Sequence, residues 1–157
     1  MRVILTRPKE LISRMSKSLS ELGAEVIELP SIDLVPCEQN ELLQAALEDI
    51  VSYQWVAFTS AMGVRFFFDF LQKNRVDVRK LSHLRFAVIG QGTRDELAKH
   101  GIFADLMPSS YYAKDLAQAL CQTMQKQRIL LPRARIGSKD LTDILTQNGI
   151  EFTDVAL

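Results

Sequence analysis

The amino-acid sequence predicts an α/β fold built on parallel sheets. Three observations carry this expectation. Four short runs, Val3-Ile4-Leu5, Trp55-Val56-Ala57-Phe58, Phe86-Ala87-Val88-Ile89 and Ile129-Leu130-Leu131, are apolar throughout, as strands covered on both faces are. Each run stops at a turn and is followed by helix-like periodicity. Strand and helix signals then alternate along the chain, which favours a parallel sheet with helices on both faces. Together they predict a doubly wound parallel-sheet (flavodoxin-like) domain plus an incomplete second α/β domain.

Val3–Thr6 reads as the first strand. Pro8 follows at the first helical position, where proline is favoured. Leu11, Ile12, Met15, Leu19 and Leu22 recur at helical spacing, and Gly23 sits at a C′ position. Val26–Leu29 closes a β-α-β unit. Pro30 to Pro36, with Ser31 and Asp33 between them, reads as a crossing linker. A helix carrying Leu42, Leu43, Ala46, Leu47 and Ile50 comes next. The expected order is then strand 55–58, helix 60–73, strand 85–89 and a helix over 93–99 stopped by Gly101. A weak strand at 104–107, a helix at 113–124, a strand at 128–131, a helix through Leu141, Ile144 and Leu145, and a strand from Glu151 complete it. In Phe66-Phe67-Phe68-Asp69-Phe70, Phe67 and Phe68 share a face with Leu71, which reads as core packing. Phe66 and Phe70 share the adjacent face, with a contact surface as the alternative.

These elements divide into an incomplete α/β domain beginning at residues 1–35, a complete inserted domain at 36–152, and the start of a return to the first domain at 153–157. A unit of 35 residues cannot cover both faces of two strands. The last residues, Val155-Ala156-Leu157, are apolar. The expectation is therefore a truncated chain, or one whose half-domain is completed by another copy. Unpaired strand edges favour self-association.

Of the 157 residues, 47% are hydrophobic, enough for a core, and Lys plus Arg balances Asp plus Glu at 19 each. No net charge draws the chain to nucleic acid or to a membrane surface. Cys37 and Cys121 form no CxxC pair and read as thiols in a reducing compartment. The apolar stretch after Met1 is too short for a signal peptide, and no run approaches the ~18 residues of a span. A soluble cytoplasmic protein is expected.

Ligands of open α/β sheets bind at the carboxyl ends of the strands, where helix starts offer free N–H groups to anions. The candidate binding positions are Thr6 and Arg7; Thr59, Ser60, Ala61, Met62 and Gly63; Gly90, Gln91, Gly92 and Thr93; Ser109 and Ser110; and Arg133. Of Arg133 and Arg135, one is expected to reach the crevice. Tyr111-Tyr112 could supply a phenol near the ligand or a lid on a helix start. Asp95 occupies the third glycine position of a GxGxxG motif, so no dinucleotide cofactor is expected. No cluster has metal spacing. His83 and His100 are not placed to activate Ser60, and Gly-x-Ser-x-Gly is absent.

Four segments, Val3-Ile4-Leu5-Thr6-Arg7-Pro8, Trp55 through Val64, Ala87 through Thr93, and Leu130-Leu131-Pro132-Arg133, resemble the uroporphyrinogen-III synthase family in order and spacing across essentially the whole chain. Met62 departs from the family's usual Asn, so a polar contact is lost there. The resemblance implies two domains, the first built from both chain ends, with the turns facing a cleft between them. It implies cyclisation of hydroxymethylbilane, a linear polycarboxylate tetrapyrrole, to uroporphyrinogen III with inversion of ring D. This is a hydro-lyase reaction of haem biosynthesis that needs no cofactor. The substrate's hydroxyl leaves to give an azafulvene, and ring D attacks through a spiro intermediate. The family's tyrosine is expected beyond residue 157, so no catalytic residue is assigned and the chain is expected to be inactive as a fragment. The alternative is a non-catalytic flavodoxin-like module or a two-domain small-anion-binding module.

Overall fold

In the computed structural model the chain forms two units, Met1–Pro36 and Cys37–Leu157. The structure describes residues 1–37, 40–123 and 127–157, and of residues 10, 11 and 14 the backbone alone. The expected contribution of Leu11 to its helix face, and of Met124 to a helix end, lies outside the described residues.

The first unit is one β-α-β crossover: β1 (Arg2–Leu5), α1 (Lys9–Glu21) and β2 (Glu25–Glu28). β1 and β2 pair in parallel from Arg2↔Glu25 to Leu5↔Glu28. Pro8 is the N-cap of α1, one residue earlier than its spacing suggests. Gly23 adopts φ 81°, which lets the N–H groups of Gly23 and Ala24 close on the last turn of α1. Ile12 and Leu5 are buried, whereas Ile4 and Ile27 are exposed. The side chains of a strand alternate between faces, so one face of this sheet carries exposed isoleucines.

The second unit is built on β3 (Trp55–Phe58), β4 (Arg85–Val88), β5 (Arg128–Arg133) and β6 (Glu151–Ala156). They form one parallel sheet in the order β4-β3-β5-β6. Counted within the unit this is 2-1-3-4, the winding of flavodoxin-like sheets. The expected strand at 104–107 is reduced to one bridge, Ala87↔Leu106. There the Asp105 carboxylate accepts the Phe86 N–H at 2.7 Å, and Pro108 follows two residues after Leu106. β6 stays paired with β5 through Ala156. Residues 153–156 thus belong to the outer strand of this sheet.

Alternating side chains feed two cores. Val56, Phe58, Phe86, Val88, Leu130 and Val155 pack with α2 (Glu41–Glu48), α3 (Ala61–Lys73) and α4 (Gln91–Ala98). Trp55, Ala57, Ala87, Ile129 and Leu131 pack with α5 (Ala113–Thr123) and α6 (Asp140–Gln147). Phe67 and Phe68 are buried, with Phe58 edge-on to Phe67 at 5.4 Å. Phe70 is half-buried against the same core, as the core reading of this aromatic run requires. Among the described residues no helix is long and apolar enough to cross a membrane. Cys37 and Cys121 are free thiols.

Candidate functional site

Winding reverses between β3 and β5, because the chain leaves β3 toward β4 on one side and returns to β5 on the other. β5 pairs with β3 only at Ile129 and Leu130, although it pairs with β6 through Arg133. Pro132, which has no N–H to donate, lies just beyond the last β3 partner. The sheet therefore opens at its carboxyl edge, where ligands of such sheets bind.

α3 begins at this opening. Ser60 is its N-cap and accepts the Gly63 N–H on its hydroxyl at 3.1 Å. The N–H groups of Ala61 and Met62 belong to the first turn and have no partner within the helix. Gly63 is buried against the strand end: a Cβ there would lie 3.3 Å from the Pro132 carbonyl oxygen. Met62 is buried, so this position offers only its backbone to the opening.

On the other side of β3, α4 starts at Gly90 with φ 77° and ψ 158°, and no side chain caps it. The first N–H groups of α4, from Gln91 to Thr93, lack intrahelical partners, while the Thr93 side chain is buried. Gln91 instead binds Asp95 within the helix. Tyr111 lays its ring on Gly90 and remains 72% exposed. Ser110 donates to Asp115 in the first turn of α5, whereas Ser109 is exposed.

Arg133 ends β5. It is 8% exposed and makes two bonds to Asp154 on β6, at 2.8 and 2.6 Å. Its third contact is to the Ser138 carbonyl at 2.6 Å. The hydrogen-bonded Asp154 carboxylate holds the guanidinium above its ordinary value. The acid on the neighbouring strand pairs with this cation at the strand end. Two supporting residues escaped the sequence. One is Asp154, whose only signal is its even spacing from Phe152 along β6. The other is Gly137, where a Cβ would meet Arg133 Nη1 at 2.7 Å.

A second cluster was also not foreseen. Glu96 on α4 is 8% exposed and accepts from Arg65 on α3 and from Lys99. Burial pushes its carboxyl up, but the hydrogen bonds and charges of Lys99 and Arg65 outweigh that and hold it below the usual carboxylate range. The pair joins the two helices whose starts flank the opening.

Thr6 and Arg7 are exposed beyond β1 in the first unit, where the Thr6 carbonyl accepts from the Ser31 hydroxyl at 3.0 Å. The histidines lie elsewhere: His83 bonds the Ile50 carbonyl and His100 stacks on Phe68 at 4.0 Å. A polar cavity of about 480 Å³, lined by Gln54, Gln127, Arg128 and Glu151, opens at the amino edge of the sheet, opposite the helix starts.

The sequence model of the uroporphyrinogen-III synthase HemD family matches residues 13–157. The chain belongs to the uroporphyrinogen-III synthase family. It is 34% identical over 157 residues to the porphyrin biosynthesis protein HemD of Ruminiclostridium josui, covering 99% of this chain and 31% of that protein. It is 30% identical to the uroporphyrinogen-III synthase of Synechococcus elongatus, covering 98% of this chain and 58% of the relative. The chain thus spans between about a third and somewhat over half of these relatives. A uroporphyrinogen III synthase structure from Thermus thermophilus aligns with a TM-score of 0.66 at 13% identity, over 99% of this chain and 61% of that one. One from Helicobacter pylori aligns with a TM-score of 0.52 at 17% identity, over 85% and 54%. These likenesses establish the fold.

Proposed function

We propose that this chain binds and folds hydroxymethylbilane for its cyclisation to uroporphyrinogen III. The observation that carries the reading is the pair of helix starts, α3 and α4, at the carboxyl edge of β3. Their N–H groups at Ala61, Met62, Gln91 and Gly92 suit the substrate's carboxylates, since helix N-termini favour anions. Ser60 and Gly90 set the two helix starts, and Tyr111 supplies an exposed ring beside the second. Thr6 and Arg7, exposed in the first unit, are proposed as binding positions of that unit.

The chemistry suits a site of this kind. An electron-rich pyrrole expels the hydroxyl as water once a proton reaches it, and ring closure then depends on holding the chain so that ring D attacks through its substituted carbon. Positioning of that sort can supply much of a rate enhancement without an acid–base pair in the protein. Backbone groups fixed by helix caps are suited to it, because they need no reorganisation when the substrate arrives. The reaction is proposed for the cytoplasm, a compartment that suits two free thiols. Turnover is proposed to need the further length that the relatives have, including the family tyrosine. Self-association through the open edges of the two-stranded sheet belongs to the same proposal.

The test is an isomer assay. Hydroxymethylbilane is incubated with this chain, and with this chain fused to the remaining C-terminal part of the Synechococcus elongatus relative. Uroporphyrinogen III is then separated from isomer I. The fusion is expected to yield isomer III, and this chain alone the isomer I of spontaneous closure. Isomer III at full rate from this chain alone would remove the requirement for further length. Isomer I alone from the fusion would contradict the reading.

A further inference from the structure

The Arg133–Asp154 pair raises a question that fold stability does not answer. Arg133 is buried whereas the Asp154 side chain stays 37% exposed; burying a charge recovers its desolvation cost only with close geometry, and an apolar replacement often serves stability as well. Here the pair's third bond goes to a loop. Arg133 Nη1 donates to the Ser138 carbonyl at 2.6 Å, and Gly137 lets the loop approach to where a Cβ would lie 2.7 Å from that nitrogen. The segment from Ala134 to Lys139 is thereby pinned at the carboxyl end of β5. It presents Arg135, Ile136 and Lys139, all exposed, with Ile136 at 97%. Among the described residues neither Arg135 nor Lys139 has an ion-pair partner. The nearest acid in sequence, Asp140, sits in the first turn of α6, where a carboxylate favours the helix start.

We infer that Arg133 and Asp154 are positioning residues that hold the 134–139 loop as a cationic clamp, in which Arg135 and Lys139 take carboxylates of the substrate and Ile136 covers a pyrrole face. This rests on the proposed function above and names a subsite within it. Two cations on either side of a bare apolar side chain match a flat, apolar ring that carries acidic arms. A loose loop would spend binding energy on ordering itself, and the bond from Arg133 to the loop removes that cost in advance.

The experiment titrates uroporphyrin III, the oxidised macrocycle with the same acidic arms, into this chain and follows quenching of porphyrin fluorescence at several salt concentrations. Replacing both cations, Arg135→Gln with Lys139→Gln, is expected to weaken binding about tenfold and to flatten its salt dependence. Asp154→Asn and Gly137→Ala, which leave both loop cations in place, are expected to weaken binding comparably. Combined with the double Gln variant they should add little, because they act through the same loop. Both loop cations are exposed, so the double variant keeps the core intact if Asp154→Asn does not fold. An unchanged affinity and salt slope in the double Gln variant, with wild-type binding present, would overturn the clamp and leave the proposed function standing. No binding by the wild-type chain would overturn both.

Discussion

The ring of Tyr111 rests on Gly90 so closely that a Cβ at that glycine would lie 2.7 Å from Cδ1 and 2.9 Å from Cε1. Gly90 also holds φ 77° and ψ 158°, a region nearly exclusive to glycine. Two costs therefore meet at one residue. Gly90→Ala should lose roughly 1–3 kcal/mol from backbone strain alone, with the collision added. Tyr111→Ala in the same background should recover the collision and leave the strain. Denaturant unfolding followed by Trp55 fluorescence measures this, since Trp55 is the sole tryptophan and is buried in the second unit. Equal stability of Gly90→Ala and wild type would contradict the geometry.

Ser60 caps α3 through the Gly63 N–H. Ser60→Ala should cost about 1 kcal/mol, and Ser60→Asp should keep most of the stability because a carboxylate also caps. The two differ in function: a fixed negative charge at this helix start should repel a carboxylate ligand. Porphyrin binding is therefore expected to fall more in Ser60→Asp than in Ser60→Ala, although the former is the more stable protein. The reverse order would contradict an anion site at this helix start.

Gly63 touches the Pro132 carbonyl, and backbone cannot swing aside as a long side chain can. A methyl group 3.3 Å from that oxygen forces α3 away from the end of β5. Gly63→Ala should be destabilising by about 1–3 kcal/mol, despite the higher helix propensity of alanine. A stabilised Gly63→Ala variant would show that the helix start and the strand end are less tightly packed.

The sequence made β3, β4 and β5 legible because each carries an unbroken apolar run, 55–58, 86–88 and 129–131, and the helices because their starts and stops carry Pro8, Ser60, Gly101 and Gly149. The helix starts proposed to bind through backbone, Ser60 to Gly63 and Gly90 to Gly92, were legible for the same reason. The Arg133–Asp154 pair was not legible because Asp154 lies 21 residues on in β6, and register between strands is invisible to local spacing. Gly137 stayed hidden likewise: its φ is ordinary, and only the guanidinium beside it makes a side chain costly. The strand expected at 104–107 shrank to a bridge because Asp105 uses its carboxylate on Phe86 at the sheet's edge, where no further strand rewards extension.

Glu96 gives a pH dependence of fixed sign. Its carboxyl lies below the ordinary carboxylate value in the folded state, so it stabilises the fold above about pH 4.3, the unfolded value. That contribution is lost as pH falls through the lower folded value. Glu96→Gln should therefore be less stable than wild type at neutral pH, by about 1 kcal/mol once the solvent access of Arg65 and Lys99 is allowed for. The difference should narrow in acid. A gap that is constant from neutral pH to pH 3 would mean that the charge itself contributes nothing.

The most direct test of ligand binding at the carboxyl edge is amide-resolved NMR of the ¹⁵N-labelled chain during titration with uroporphyrin III. The amides of Ala61, Met62, Gln91 and Gly92 are expected to shift together with one saturation curve, while Gln54, Gln127 and Glu151 around the opposite cavity stay in place. Shifts centred on Gln54, Gln127 and Glu151, or none at the starts of α3 and α4, would contradict the proposed site.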